Sequence, residues 1–100
     1  MESGNILMKY KVLFTAFLVR TTPIASGYRP DWTSDGKPEY NCAMLTFTDK
    51  ELIVPGEQHE CFLQPMCPEF WGNVAINDTL KCMEGSRQVG EAVILEIMSP

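Results

Sequence analysis

The sequence has little of what catalysis, metal binding or membrane insertion requires. It contains one histidine, His59, and its four cysteines never form the Cys-x-x-Cys spacing of zinc knuckles and redox motifs. The Gly-x-x-x-x-Gly-Lys-Ser/Thr loop that binds nucleotide phosphates is also absent. The longest apolar stretch without charge, Val12 to Val19, is too short to span a membrane. These absences exclude a phosphate-loop nucleotide hydrolase, a zinc knuckle and a transmembrane helix.

Positive charge is scarce as well. Eight Lys and Arg stand against 13 Asp and Glu, which gives a formal net charge of −5 and a sequence pI near 4.7. Nucleic-acid binders usually concentrate positive charge on one face, so strong independent binding of RNA or DNA is disfavoured. An acidic domain can instead meet a basic protein partner.

The start of the chain, Met1–Asn5, has no basic segment of the kind that opens a signal peptide. We therefore expect a cytoplasmic protein without a membrane anchor. Its four cysteines are then expected to be reduced and partly buried, with a disulfide framework as the alternative.

What is present reads as a small all-β domain. The 100 residues are 45% hydrophobic and 21% charged, which fits a single globular domain, 1–100, with a barrel at about 8–97 and short flexible ends. Period-two alternation and Gly/Pro turns predict a six-stranded antiparallel β-barrel without a helix. Its core is predicted from the inward faces of five strands, 8–19, 42–47, 58–64, 78–83 and 88–97.

Two long connections carry large aromatic side chains. The first, 20–41, contains Tyr28 and Trp32, and the second, 67–78, contains Phe70 and Trp71. Such loops are functional or disordered more often than not, and the aromatics favour order. Two interpretations stay open, because these side chains either plug the barrel or form a recognition patch. The candidates for protein binding are Tyr28, Arg29, Trp32, Phe70 and Trp71.

The order of the turns resembles a known domain. The blocks "RTTPIASGYRP", "LIVPGE" and "LKCMEGSRQVGEAVILEI" are similar to the C-terminal β-barrel, the third domain, of bacterial elongation factor Tu. That family has Arg-His-Thr-Pro leading to Gly-Tyr-Arg-Pro, then a Pro-Gly-Asp turn, and ends in an Arg-Glu-Gly-Gly-Arg-Thr-Val-Gly hairpin. The resemblance covers roughly residues 9–97 and implies a free-standing relative that lacks the GTPase domain and the second barrel.

The resemblance also implies contacts to tRNA. In the family, this domain touches the T-stem backbone of tRNA, and the matching positions here are Arg20, Thr21, Glu84 and Gly85. The sequence departs from the family at Thr21, where the family has histidine, and at Met83, where it has arginine. Ser86 replaces the second glycine of the hairpin. The two lost polar groups and the acidic charge make retained tRNA binding the alternative rather than the leading prediction.

An enzymatic reading rests on one pair. His59 and Cys61 fall on the same face of a predicted strand, as a hydrolase nucleophile and base would need, but no orienting group is evident. A zinc site from these two residues and Cys67 is a further remote alternative. We predict no catalytic residue, cofactor or metal site. The expected function is a non-catalytic protein-binding module, linked to translation or acting as an inhibitor or immunity-type protein, with an unspecified oligomeric state.

Overall fold

The computed structural model describes residues 8–34 and 42–98, and all the long elements in these ranges are β-strands. One 3-10 turn, Pro68–Phe70, is the sole helical element of the described part. The all-β prediction is therefore confirmed. In chain order the strands are β1 (Lys9–Ala16), β2 (Ile24–Ala25), β3 (Asp31–Thr33), β4 (Ala43–Thr46), β5 (Leu52–Ile53), β6 (Gln58–Pro65), β7 (Thr79–Glu84) and β8 (Arg87–Met98).

Six strands form one curled antiparallel sheet in the order β3-β7-β8-β1-β6-β4, while β2 and β5 form a separate two-stranded ladder. The sheet is a half-barrel whose two edge strands approach each other. Isolated bridges join Asp31 to Cys42 and Tyr28 to Leu45, and the Leu45 amide donates to the Tyr28 carbonyl at 2.7 Å. The segment that leads into β3 thereby ties one edge of the sheet to the other.

The central strand β1 shows why this sequence curls around a core. Every second residue of β1 is buried, and the intervening residues are half-exposed, because successive side chains of a strand point to opposite faces. Gly90 of β8 lies where a Cβ would come within 2.7 Å of the Thr15 carbonyl oxygen, so the close approach of β8 to β1 requires glycine. The inward faces predicted from the sequence supply most of the core, and no polar or charged side chain is buried within 8–34 and 42–98.

The bounds of β1 correct the sequence prediction. The strand ends at Ala16 instead of residue 19, because Phe17–Arg20 forms a turn in which the Arg20 amide donates to the Phe17 carbonyl at 3.2 Å. Leu18 and Val19 therefore leave the sheet, and Leu18 is 78% exposed.

The first long connection is more regular than predicted. It contributes β2 and β3, and its residues 35–41 lie outside the described residues. The same holds for 1–7 and 99–100, the greater part of the ends that the sequence predicts to be flexible, whereas Met98 still belongs to β8.

Candidate functional site

The hairpin between β7 and β8 turns through two residues. Glu84 pairs with Arg87 across the hairpin, and Gly85 has a φ of +65°. A positive φ at the first central residue is typical of a type II′ turn, which follows the twist of the two strands. Gly85 adopts this positive φ without steric cost, because glycine has no Cβ. The turn also projects the Glu84 side chain toward segments that are distant in sequence.

Glu84 joins two residues that the sequence assigns to different candidate sites. The Arg20 guanidinium donates to a Glu84 carboxylate oxygen, and the Tyr28 hydroxyl donates to the same oxygen at 2.5 Å. The Arg20 guanidinium also lies over the Tyr28 ring, 4.8 Å from its centroid. Arg20 Nε also donates a hydrogen bond of 3.1 Å to the Thr22 carbonyl, which restricts the arginine side chain further. The cluster is therefore an ordered polar network and not a set of free surface charges.

Partial burial sets the protonation states in this network. Burial and then the hydrogen bond to Glu84 raise the pKa of Tyr28 well above its usual range, so the phenol stays a neutral donor. Burial raises the pKa of the neighbouring Cys82 thiol to about 12. Its sulfur lies 3.9 Å from the Tyr28 hydroxyl. At neutral pH the Tyr28 phenol and the Cys82 thiol are therefore both neutral, and neither presents an anion to the Arg20 guanidinium.

The four positions carried over from the resemblance lie on one surface. Thr21 and Gly85 are exposed beside the bonded pair Arg20 and Glu84. Arg87 is 57% exposed, with its guanidinium 3.9 Å from Glu84. Sequence reasoning missed that Tyr28 completes the network. Local pattern gives no signal for it, because 56 residues separate Tyr28 from Glu84.

A second turn adds an apolar part to this surface. Val54–Glu57 is closed by a bond of 3.0 Å from the Glu57 amide to the Val54 carbonyl, and Gly56 has a φ of +95°. Proline followed by a positive-φ glycine is the signature of a type II turn. The Leu18 side chain covers this glycine, since a Cβ on Gly56 would lie 3.1 Å from Leu18 Cδ2.

We call the whole surface the hairpin end, which comprises residues 17–21, 28–29, 54–57 and 84–87. Its exposed apolar side chains are Leu18, Val19 and Val54. Arg29, which follows Tyr28, is also exposed.

The two tryptophans proposed for protein binding do not belong to any surface. Trp32 is 1% exposed and Trp71 is 0% exposed, which corrects their place among the candidates. Trp32 packs edge-on against Phe14 and donates from Nε1 to the Ala43 carbonyl at 3.1 Å. Trp71 stacks on Tyr10 with ring centroids 5.8 Å apart. Both rings fill the half-barrel, as large aromatic surfaces do when a curled sheet leaves room for them.

The remaining aromatic candidates differ from each other in exposure. Phe70 is 46% exposed at the end of the 3-10 turn, and Tyr28 is half-buried under Arg20. The patch of four aromatic side chains that would favour a recognition loop is therefore not formed. Phe70 stays a candidate for a contact outside the hairpin end.

The predicted alternative catalytic pair has a different geometry from a nucleophile and its base. The Cys61 sulfur lies 3.5 Å from the backbone carbonyl of His59, while the His59 ring nitrogen Nε2 lies 2.8 Å from Asp49 Oδ1. Burial raises the pKa of Cys61 to about 12, which keeps the thiol protonated and a poor nucleophile. A cavity of about 280 Å³ opens beside them, with Phe47 and Phe62 in its lining.

Grouped metal ligands and membrane-spanning helices are both absent from residues 8–34 and 42–98. In these ranges no three His, Cys, Asp or Glu side chains are grouped as metal ligands would be. The same residues include no helix of the length and apolarity needed to span a bilayer.

Comparison of the chain with protein families and with curated proteins finds no match.

Proposed function

We propose that this chain is a non-catalytic module that binds a protein partner through the hairpin end, and that it acts in the cytoplasm as a free-standing relative of the third domain of elongation factor Tu. The observation that carries the proposal is the convergence of three separate sequence blocks. The first block supplies Arg20 and Tyr28, the second supplies the Gly56 turn, and the third supplies Glu84. The motifs on which the resemblance rests thus meet at one end of the fold.

The composition of this surface favours a protein over other partners. Arginine and tyrosine are enriched in the parts of interfaces that contribute most to affinity, and apolar side chains form their centres. Leu18, 78% exposed, is the most exposed large hydrophobic side chain of the described residues, and it lies beside the ordered arginine. An apolar anchor next to fixed polar groups offers both affinity and orientation.

Charge indicates the character of the partner. The chain carries a net charge of −5, so a partner of net positive charge would be attracted during encounter, while contact at the hairpin end would depend on its apolar side chains. The resemblance points to the translation apparatus, while small size and acidity also suit an inhibitor or immunity-type protein. Both roles require a preformed binding surface on this chain, and neither requires a catalytic residue.

RNA binding in the T-stem mode is the second candidate, and one observation favours it. Two of the three arginines of the sequence, Arg20 and Arg87, lie against Glu84 at the hairpin end, and Arg29 directly follows Tyr28 in the chain. Glu84 opposes this mode, because a phosphate would have to displace a carboxylate that already binds Arg20. Protein binding requires no such exchange.

A capture experiment separates the two. The tagged chain is exposed to a lysate of the source cell, and recovered proteins and nucleic acids are identified; affinities are then measured with the purified partner. We expect Leu18→Asp to weaken binding of the protein partner by about tenfold or more, because a charge would be buried at the centre of the interface. Ile76→Asp is the matched control, since Ile76 is an aliphatic residue 54% exposed outside the hairpin end.

Two results would overturn the proposal. One is equal loss of binding in both aspartate variants. The other is recovery of tRNA with a steep salt dependence that Arg20→Gln abolishes, because this result would assign the surface to RNA.

A further inference from the structure

The chain leaves a gap beside β6 where β4 stops. β4 ends at Thr46, and it pairs with β6 over residues 62–65 of that strand. In the part of the chain that the structure describes, the first four residues of β6, 58–61, have ladder partners in β1 alone. The segment after β4 returns to β6 through side chains, because Asp49 Oδ1 lies 2.8 Å from His59 Nε2. The cavity of about 280 Å³ lies between this returning segment and β6, and residues from both line it.

The lining of this cavity is apolar at its base and charged at its rim. Phe47 is 4% exposed and Cys61 is 1% exposed, and the half-buried Phe62 adds a second ring. The side chains of Asp49 and Glu60, which also line the cavity, are 70% and 59% exposed. A ligand that fits this gradient has an apolar body for the base and a charge for the rim.

The volume of the cavity limits the apolar body to about one aromatic ring. An apolar cavity of about 150 Å³ in a protein interior is large enough to bind benzene. A cavity of about 280 Å³ therefore has room for one ring and for a short chain that carries the charge. Phe47 and Phe62 favour a ring over an aliphatic group, because offset or edge-on aromatic pairs attract each other beyond the effect of their contact area.

The charged groups at the rim favour a cation. Lys11 Nζ lies 3.4 Å from Glu60 Oε1, so the ammonium group that the described lining contributes already has a carboxylate partner. Asp49 instead accepts a hydrogen bond from the His59 ring, which lowers the pKa of the Asp49 carboxyl and keeps it ionised at neutral pH. The described lining residues thus carry two carboxylates against one ammonium group, and Asp49 retains lone pairs for a further donor.

We propose that this cavity binds a small organic cation, a primary ammonium group on a short chain attached to one aromatic ring. The ring packs on Phe47 and Phe62, and the ammonium group donates to the Asp49 carboxylate at the rim. None of the described lining residues belongs to the hairpin end, so this site is separate from the surface proposed to bind a protein. One ring and an exposed ion pair give weak binding, with a dissociation constant on the order of 1 mM.

Titration of the isotope-labelled intact chain with phenethylammonium, followed by heteronuclear NMR of the backbone amides, tests the proposal. We expect saturable shifts of the amide signals of 47–49 and 60–62, which line the cavity on its two sides. Phenethyl alcohol lacks the charge and should bind about threefold more weakly. Phenylacetate, which has the opposite charge, and ethylammonium, which lacks the ring, should cause no saturable shift of these signals.

Two matched variants locate the charge, and both change exposed positions. Asp49→Asn should weaken binding of phenethylammonium by about threefold and leave binding of phenethyl alcohol unchanged, because only the ammonium group needs the carboxylate. Glu51→Gln removes the charge of a carboxylate outside the described lining and should leave both affinities unchanged. The proposal would be overturned by a lack of saturable shifts at 47–49 and 60–62, by equally tight binding of phenylacetate, or by equal losses in the two variants.

Discussion

The interior of the half-barrel and the hairpin end use large apolar side chains in opposite ways. Trp32 and Trp71, at 1% and 0% exposure, fill the interior, whereas Leu18 and Val19 lie at 78% and 44% exposure in a turn. The sequence predicts both aliphatic residues within a strand, and it leaves open whether the tryptophans plug the barrel or form an exposed patch. Residue type alone therefore does not decide which apolar groups meet solvent.

The cause of this difference lies in where the strands stop. β1 ends at Ala16 because the following backbone turns, and the next two side chains then lose their place on the sheet. The segment of Trp32 instead joins the sheet, because β3 pairs with β7. Isolated bridges from this segment also reach the β4 edge of the sheet. Burial thus follows backbone pairing, and the apolar residues left outside the sheet belong to the surface that we propose for binding.

The largest expected effect separates these two regions by stability. Trp32→Ala should lower the free energy of unfolding by about 3–5 kcal/mol, because it removes a buried ring and leaves a cavity against Phe14. Leu18→Ala should change it by less than about 0.5 kcal/mol, because the side chain is already in water. Urea denaturation of both variants provides the comparison. Similar losses in the two variants would contradict the division into interior and surface.

The part of the fold that the sequence predicts is the part with local periodicity. The alternation of apolar and polar residues in the sequence predicts the alternating burial of β1, β6 and β7. The dipeptide Pro55-Gly56 predicts a turn by residue type alone. The two-residue ladder of β2 and β5 and the short strand β3 leave no such pattern. These elements exist because distant segments supply their hydrogen-bond partners.

The candidate site divides in the same way. The resemblance placed Arg20 and Glu84 on one surface, and the structure brings them into contact. No local signal links Tyr28 to Glu84 or Leu18 to Gly56, because both contacts depend on how the sheet curls. Spacing also suggested that His59 and Cys61 share a face, but it could not show that the His59 ring turns to Asp49.

A second, smaller effect is the difference in coupling energy between a partly buried ion pair and a more exposed one. Arg20 and Glu84 have side chains 16% and 32% exposed, while Lys11 and Glu60, 3.4 Å apart, are 38% and 59% exposed. A double-mutant cycle with Arg20→Met and Glu84→Gln should give a coupling of about 1 kcal/mol, because partial burial limits screening of the pair. The matched cycle, Lys11→Met with Glu60→Gln, should give a coupling close to zero.

Salt provides the check on this second prediction. The coupling of Lys11 with Glu60, if any is measured, should vanish in high salt, whereas that of Arg20 with Glu84 should persist. Equal couplings in the two cycles would mean that the hairpin end is no better ordered than the outer face of the sheet.

The smallest expected effect concerns acid stability at two carboxylates, Asp49 outside the hairpin end and Glu57 within it. The hydrogen bond with the His59 ring lowers the pKa of Asp49, and the Val54 amide and then Lys50 lower that of Glu57. A carboxylate whose pKa is lower in the folded state stabilises the fold above its unfolded pKa, about 4, and this contribution is lost as the pH falls through the folded pKa. Because both carboxylates lie in solvent, the change should be slight.

Thermal unfolding between neutral and strongly acidic pH tests this sign with Asp49→Asn. Above about pH 4 the unfolding midpoint of the unaltered chain should lie slightly higher than that of the variant, and the two curves should converge below it. The asparagine keeps a polar side chain beside His59 but cannot ionise. The loss of the difference between the two unfolding midpoints at acidic pH therefore reports the titration of Asp49. Curves that stay parallel through the acidic range would show that the His59 bond does not favour the ionised carboxylate.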